Sequence, residues 1–185
     1  MDMVPYLVLA VVAAAVIYLI ATYNSFVRLK NLVSEAFSTM DVYLKKRWDL
    51  LPNFIETVKG YTSHERSVFE NIVSLRTSSY DNMSLNDKID TNEKLSAGIS
   101  RLFAVAENYP DLKAGKNFSD LSAQLSAIEG EIAQSRKYYN AVVRNLNMKT
   151  EMFPGSIVAA VFGFKQSKMF EAREEERANV KAELS

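Results

Sequence analysis

The sequence predicts an all-α protein, in which an N-terminal transmembrane helix is followed by an antiparallel four-helix bundle of long helices. Three observations predict this: an uncharged apolar run at residues 4–21, apolar positions spaced alternately three and four residues apart, and the absence of strand-like alternation. The 185 residues divide into an anchor (1–22), a helical bundle (23–153), an apolar membrane-proximal segment (154–170) and a charged tail (171–185).

Residues 4–21, VPYLVLAVVAAAVIYLIA, form the predicted membrane anchor. They carry no charged side chain, and as a helix they would cover about 27 Å of the roughly 30 Å hydrocarbon core. The rings of Tyr6 at one end and of Tyr18 and Tyr23 at the other suit the two bilayer interfaces. A cleaved signal peptide, the alternative, needs a basic leader and a shorter apolar core, whereas the only charged side chain before this run is Asp2.

The flanks of the anchor predict its orientation. Arg28 and Lys30 follow the apolar run, and no lysine or arginine precedes it. Because basic flanks favour the cytoplasmic side, we predict a single-pass protein with its N-terminus outside and its bundle in the cytoplasm.

The first helix of the bundle is predicted from an apolar seam at Phe26, Leu29, Val33, Ala36, Met40 and Tyr43. We expect this helix to end near Leu51 and the second helix to begin near Pro52. The reason is that proline disfavours the α conformation in the residue before it and suits a first helical turn. The basic run Lys45-Lys46-Arg47 is expected to be a solvated face.

Two polar or irregular stretches separate the remaining helices. Residues 77–92 are rich in Ser, Asp and Asn, which compete with helical hydrogen bonds, and they predict a loop. Asp90 or Thr91 can then cap a third helix that ends at Asn108, and the fourth runs from about 118 to 153. The seam of the fourth helix is Phe118, Leu121, Leu125, Ile128, Ile132, Tyr139, Val142 and Leu146.

The stretch 104–118, AVAENYPDLKAGKNF, is the most irregular part of the predicted bundle, and two interpretations stand. Asn108 can end one helix and Asn117 can cap the next, so the stretch is a structural lid over the end of the core, with Tyr109 mostly buried. Alternatively, it is a partner-binding cap, together with a turn expected at Leu50–Phe54. The candidate partner-binding residues are Asn108, Tyr109, Asp111, Lys113, Lys116, Pro52 and Asn53, of which Asp111, Lys113 and Lys116 are expected to be exposed.

Residues 157–164, IVAAVFGF, are apolar on all sides. One interpretation is a short helix that closes the membrane-proximal end of the bundle. The other is an interfacial segment that presses Phe162 and Phe164 into the head-group region. The mixed charges of the tail, residues 171–185, predict an exposed or frayed helix.

Composition excludes several classes of chemistry. The chain has no cysteine and one histidine, His64, and position 68 is valine, so His64-Glu65 cannot complete an HExxH zinc motif. Glu65 is expected to have a structural role. Lys+Arg and Asp+Glu are both 22, which disfavours nucleic-acid binding. We therefore expect no catalytic residue, no metal and no cofactor.

The order of several short motifs resembles the LemA family of bacteria, from about Tyr23 to Glu171. The motifs are Tyr23-Asn24, Asp41-Val42, Pro52-Asn53, Val58-Lys59-Gly60-Tyr61, His64-Glu65, Glu107-Asn108-Tyr109-Pro110-Asp111-Leu112, Asn117-Phe118, Tyr139-Asn140 and Phe162-Gly163-Phe164. The resemblance implies an N-terminal membrane helix, an antiparallel bundle of long helices on the cytoplasmic side of the bacterial cell membrane, and no established reaction.

The expected function is that of a membrane-anchored, non-enzymatic scaffold. Its partners are the lipid bilayer, through residues 4–21, and another protein; a homo-oligomer is possible, and nucleic acid is not expected. The alternatives are a protein that organises or senses the bilayer and, with less support, a cryptic hydrolase.

The predicted orientation can be tested with a single cysteine, because the chain contains none. In intact cells, Ser185→Cys should resist a membrane-impermeant thiol reagent and react only after lysis. Labelling before lysis would reverse the orientation.

Overall fold

The computed structural model describes residues 3–61, 66–75 and 79–170, and these ranges contain six α-helices, one short 3-10 helix and no strand. The α-helices are α1 (Val4–Lys59), α2 (Arg66–Leu75), α3 (Leu85–Glu107), α4 (Pro110–Ala114), α5 (Lys116–Glu151) and α6 (Gly155–Phe162), and the 3-10 helix is Tyr80–Asn82. The all-α class is confirmed, and the arrangement as an antiparallel four-helix bundle stays a prediction.

The predicted break between Leu51 and Pro52 is wrong, because α1 continues through Pro52 to Lys59. The turn expected at Leu50–Phe54 therefore does not form. Proline in a helix interior costs about 3 kcal/mol. Leu51, Phe54 and Ile55 are nevertheless almost completely buried, and burying each such side chain contributes about 1.5–3 kcal/mol. Burial on both sides of Pro52 therefore outweighs the local preference for a helix end.

The third helix also begins earlier than predicted, at Leu85 instead of after Asp90 or Thr91. Ser84 is its N-cap: the Ser84 hydroxyl accepts a hydrogen bond from the Asp87 backbone N–H at 3.2 Å and donates to the Asp87 carboxylate at 2.6 Å. This exchange satisfies a free amide of the first turn. The polar stretch assigned to a loop therefore contains a helix start.

Contacts divide the chain into two compact units. Unit 1 comprises residues up to Tyr43 together with Gly130–Met169, and unit 2 comprises Leu44–Glu129 together with the residues from Phe170. The fully or nearly buried apolar side chains of unit 1 include Phe26, Val33, Ala36, Met40, Ile132, Tyr139, Val142 and Leu146. Those of unit 2 include Phe54, Val58, Ile72, Leu95, Ile99, Leu102, Phe118 and Leu125. Most of the seam predicted for the first and fourth helices is thus core, and its supercoiling stays a prediction.

The basic run at residues 45–47 is not the uniformly solvated face that the sequence predicts. Lys46 is exposed, and Lys45 forms a surface ion pair with Asp49 at 2.6 Å, but Arg47 is completely buried. Positions three and four residues apart share a helix face, and Leu44 and Leu51, at those distances from Arg47, are both buried. Helical periodicity therefore places Arg47 in the core of unit 2.

A cluster of polar groups surrounds the buried Arg47 guanidinium. One terminal nitrogen donates to the Ser96 hydroxyl at 2.8 Å and to the Glu129 carboxylate. The other donates to the backbone carbonyl of Asn92 at 3.0 Å and to the Asn92 side-chain oxygen. Asn92 in turn donates to the backbone carbonyl of Lys88 at 2.8 Å. This Arg47 cluster joins α1, α3 and α5 within unit 2, since its members lie on those three helices.

Removing either member of the Arg47–Glu129 pair should destabilise unit 2 unequally. Glu129→Met leaves a fully buried cation that cannot deprotonate and should lower the free energy of unfolding by about 3–5 kcal/mol. Arg47→Met should cost less, because the Glu129 side chain that remains is 22% exposed. Urea unfolding in detergent can be followed through Trp48, which is the only tryptophan and is buried in unit 2.

The control is Lys45→Met, which removes only an exposed ion pair and should change the free energy of unfolding by less than about 1 kcal/mol. Equal losses for Glu129→Met and Arg47→Met would contradict the assigned burial.

Candidate functional site

The predicted irregular stretch forms a compact turn in unit 2. Asn108 ends α3, and its backbone N–H donates to the Val105 carbonyl at 3.0 Å. Tyr109 is the N-cap of α4, with Pro110 at the first helical position, where its missing N–H is tolerated. The predicted helix end at Asn108 is confirmed. The predicted capping role of Asn117 is wrong, because α5 already begins at Lys116.

Leu112, and not Tyr109, is the buried side chain of this turn. Leu112 is 0% exposed, whereas Tyr109 is half-buried. The short helix α4 explains the difference, because it carries Leu112 on its inner face while Tyr109 stands at its start. Asp111, Lys113 and Lys116 are exposed, as predicted. The turn therefore combines a buried plug with an exposed charged surface.

An open hollow of about 380 Å³ lies beside this turn in unit 2. It is lined by Thr57, Tyr61, Leu112, Gly115, Lys116, Asn117 and Phe118. Pro52 is half-buried and Asn53 is exposed within α1, and neither lines the hollow. Thr57 and Tyr61 line it instead. The sequence did not predict these two residues because the first helix was expected to end at Leu51.

The side chains around the turn are held by local contacts. Lys113 forms an ion pair with Glu107 at 2.8 Å, which links α4 to the end of α3. The Phe54 and Phe118 rings pack with centroids 5.4 Å apart, and they attach the start of α5 to α1. The exposed charges thus stand on a backbone fixed by packing.

Leu112→Ala should lower the free energy of unfolding of unit 2 by about 2–5 kcal/mol, because it removes a fully buried side chain from a packed site. Asp111→Ala, one residue away and exposed, should change it by less than about 0.5 kcal/mol. Urea unfolding followed through Trp48 distinguishes the two. Equal effects would show that Leu112 does not anchor the turn.

The predicted anchor is the exposed beginning of α1 in unit 1. Among the described residues, α1 is the one helix long and apolar enough to cross a membrane, and none of its most apolar 18-residue window is buried. Tyr6 and Tyr18 are exposed along this segment. Burial begins at Thr22, directly after residue 21. The segment is therefore a candidate membrane span.

An aromatic cluster forms where this segment ends. Tyr23 contacts Phe162 edge-on, with ring centroids 4.9 Å apart, and contacts Phe164 at 5.6 Å. Phe164 is half-buried and stacks on Phe26 at 4.8 Å. A short helix forms in this segment as predicted, but α6 spans Gly155–Phe162, and its role in closing a bundle stays a prediction. Its last turn lies beside the first turn of α1 after the apolar segment.

The chain leaves α6 through Gly163, which has a left-handed conformation (φ 72°) that suits glycine. It then returns along α5 in unit 1. The Asn147 amide donates to the Ser167 carbonyl, and its oxygen accepts from the Ser167 N–H, both at 2.9 Å. The Tyr139 hydroxyl donates to the Lys168 carbonyl at 2.9 Å, and burial raises the pKa of Tyr139 to about 12. These bonds fix the segment that follows α6.

Lys149 completes this end of unit 1. Its ammonium donates to the Ser25 hydroxyl and lies 5.2 Å from the centre of the Phe26 ring. Partial burial lowers the pKa of Lys149. The contact ties the last turns of α5 to α1 just beyond the candidate span.

The described ranges bring together no group of three or more His, Cys, Asp or Glu side chains that could hold a metal ion. His64-Glu65 and the tail, residues 171–185, lie outside the described residues.

Comparison with known proteins identifies the family. The family model described as LemA family matches residues 36–183. Protein LemA of Metamycoplasma hominis is 26% identical over 158 residues, which cover 85% of this chain and 72% of the relative. Magnetosome protein MamQ 2 of Paramagnetospirillum magneticum is 24% identical over 188 residues, which cover 88% of this chain and 69% of the relative. Magnetosome protein MamQ of Magnetospirillum gryphiswaldense is 22% identical over 178 residues, which cover 82% of this chain and 65% of the relative. This chain belongs to the LemA family.

Proposed function

We propose that the protein is a membrane-anchored, non-enzymatic helical scaffold that binds another protein through the surface around the 107–118 turn. The observation that carries the proposal is the 380 Å³ hollow, which lies beside exposed charges on a packed backbone. Membership in the LemA family and the candidate span support the anchored scaffold. None of the relatives' names denotes an enzyme.

The lining of the hollow indicates the chemistry of the partner. Leu112 and Phe118 line its buried side and leave little accessible apolar surface, whereas Lys116 supplies an exposed positive charge at the rim. Tyr61 is half exposed, and its hydroxyl lies close to the backbone of Gly115. A Cβ atom at Gly115 would be 3.7 Å from that hydroxyl. Exposed tyrosines beside a pocket are frequent binding hot spots. The partner is therefore a protein segment with one side chain that packs on the exposed Tyr61 ring and an acidic group for Lys116.

In this proposal the N-terminus is outside the cell and the rest of the chain is cytoplasmic, because Arg28 and Lys30 follow the span. The long helices form the antiparallel four-helix bundle that the sequence predicts. The scaffold presents the turn to soluble proteins or to other membrane proteins.

A second candidate function, bilayer organisation or sensing, is favoured by the exposed apolar side chains of Ile157, Val161 and Phe162 on α6. It is also supported by the relatives that are magnetosome proteins by name.

Photo-crosslinking in cells tests the scaffold. A crosslinking amino acid in place of Asn117, an exposed residue that lines the hollow, should capture a partner. Lys113→Glu combined with Lys116→Glu should remove at least about nine-tenths of the captured product, as the loss of a charged contact at a hot spot does. The matched control is Lys94→Glu combined with Arg101→Glu, two exposed positions on α3 in the same unit.

The control should capture the partner as the unmodified protein does. Capture that survives the Lys113 and Lys116 reversals would remove the binding role and leave the turn as a structural lid.

A further inference from the structure

We propose that unit 1 has a second membrane contact, in which five apolar side chains lie in the interface of an anionic bilayer beside the α1 span. These side chains, called here the lipid-facing patch, are Met152, Phe153, Ile157, Val161 and Phe162. The inference rests on the anchoring part of the proposed function and is independent of partner binding by unit 2.

The lipid-facing patch is exposed although α6 is well packed. Phe153 is 80% exposed and Val161 71%, whereas Val158 and Ala159 are buried. Ile157 and Val161 are four residues apart and therefore share the exposed face of α6. Met152 and Phe153 precede α6 in the turn after α5. Exposed large apolar side chains in one region of the surface usually mark a contact with a partner or a membrane.

The height of the patch along α1 selects the bilayer as its occupant. Tyr23 lies two residues beyond the apolar run that ends at residue 21, which corresponds to about 3 Å along the helix axis. Phe162 packs against Tyr23 with ring centroids 4.9 Å apart. The polar layer of each leaflet is roughly 5–8 Å thick. The end of α6 is therefore level with the interface of the membrane that α1 crosses.

The charge of unit 1 favours anionic lipid. Residues 3–43 and 130–169 contain eight Lys or Arg and four Asp or Glu, although the whole chain has a formal net charge of zero. Of these basic residues, Lys30 and Lys165 lie beside Gly163 and Phe164 at the end of α6, where basic groups can attract anionic head groups.

A groove of about 310 Å³ offers a place for one head group. Lys30 and Lys165 line it, together with the polar side chains of Gln166 and Ser167 and the apolar side chains of Leu146 and Phe164. Lys30 and Lys165 are exposed, so their ammonium groups are accessible to a lipid phosphate. Lysine side chains can pack their stems on apolar surface while the ammonium reaches polar groups. The groove thus combines apolar lining with two cations that can bind a lipid phosphate.

Depth-dependent quenching tests the contact in the full chain. Because the chain has no cysteine, an environment-sensitive fluorophore can be attached at Phe153→Cys or Val161→Cys. The labelled protein is reconstituted in equimolar phosphatidylcholine and phosphatidylglycerol with lipid-borne quenchers. The control is Tyr138→Cys. Tyr138 is an aromatic residue that is 53% exposed, the same fraction as Phe162 in the patch. Tyr138 lies 13 residues before Glu151, about 20 Å along α5.

We expect the fluorophore at Phe153 or Val161 to be quenched several-fold more than at Tyr138. Val12→Cys, inside the candidate span, reports the anchor separately. Strong quenching at Val12 with only control-level quenching at Phe153 and Val161 would overturn the second contact and leave the anchor intact. No quenching at Val12 would overturn both the membrane anchor and the second membrane contact.

Other occupants give distinct results. If a second copy of the chain covers the patch, the Phe153 fluorophore is shielded from water and from lipid quenchers when several copies share a vesicle. It becomes water-exposed when the protein is diluted to one copy per vesicle. That result would overturn the lipid contact, whereas quenching by lipid that is independent of dilution supports it.

The anionic head group has its own test. Quenching at Phe153 should increase when phosphatidylglycerol is added to phosphatidylcholine. Lys30→Gln combined with Lys165→Gln should abolish that increase. Lys137→Gln combined with Arg144→Gln, two exposed positions on α5 in the same unit, should retain it. An increase that survives loss of Lys30 and Lys165, or no increase in the unmodified protein, would overturn the role of the anionic lipid.

Discussion

Unit 2 depends on the buried guanidinium of Arg47. An arginine cannot lose its charge in a protein interior, so every helix that reaches it has to supply an acceptor at a fixed position. Asn92 and Ser96 do so from α3, and Glu129 does so from α5. The cluster therefore constrains how three helices slide against one another, while the surrounding apolar core provides most of the favourable free energy. The exposed turn and its hollow stand on this constrained core.

In unit 1, a single helix changes its surroundings within one turn. The first residues of α1 are apolar on all sides and exposed, and from Thr22 onward one face is buried against protein. Phe164 and Tyr23 pack at this transition, and hydrogen bonds from Asn147 hold the segment that follows α6. These contacts keep α6 beside the end of the candidate span. A short helix that is fixed at that height, and apolar on its free face, is suited to contact with lipid.

Features carried by long periodic patterns could be predicted from the sequence, whereas features decided by tertiary burial could not. The exposed apolar run of the candidate span, the seam through Leu125 and Ile132 and the helix end at Asn108 follow from composition and spacing. The helix break predicted at Pro52 is wrong because the cost of an interior proline is local, whereas the burial that offsets it depends on distant helices. The depth of Arg47 was missed because its partners are more than 40 positions away in the sequence.

At the turn, the sequence predicts a mostly buried Tyr109, whereas the structure buries Leu112. The short helix α4, which decides which side chain points inward, has too few residues to show a period. Met152 and Phe153 had one signal in the sequence, two large apolar residues directly before Pro154. The sequence alone does not show whether these side chains are buried, and the structure shows that both are exposed beside α6.

In the proposed membrane contact, unit 1 holds α6 against the bilayer beside the α1 span. It can be tested by the depth of nitroxides attached singly to residues 148–165, and to residue 138 as a reference, in the reconstituted full chain. Depth is measured as accessibility to oxygen and to a water-soluble nickel chelate. The account predicts oxygen-dominated accessibility at Met152, Phe153, Ile157 and Val161, with low accessibility to both reagents at Val158. Chelate-dominated accessibility at those four exposed positions, equal to that at Tyr138, would contradict it.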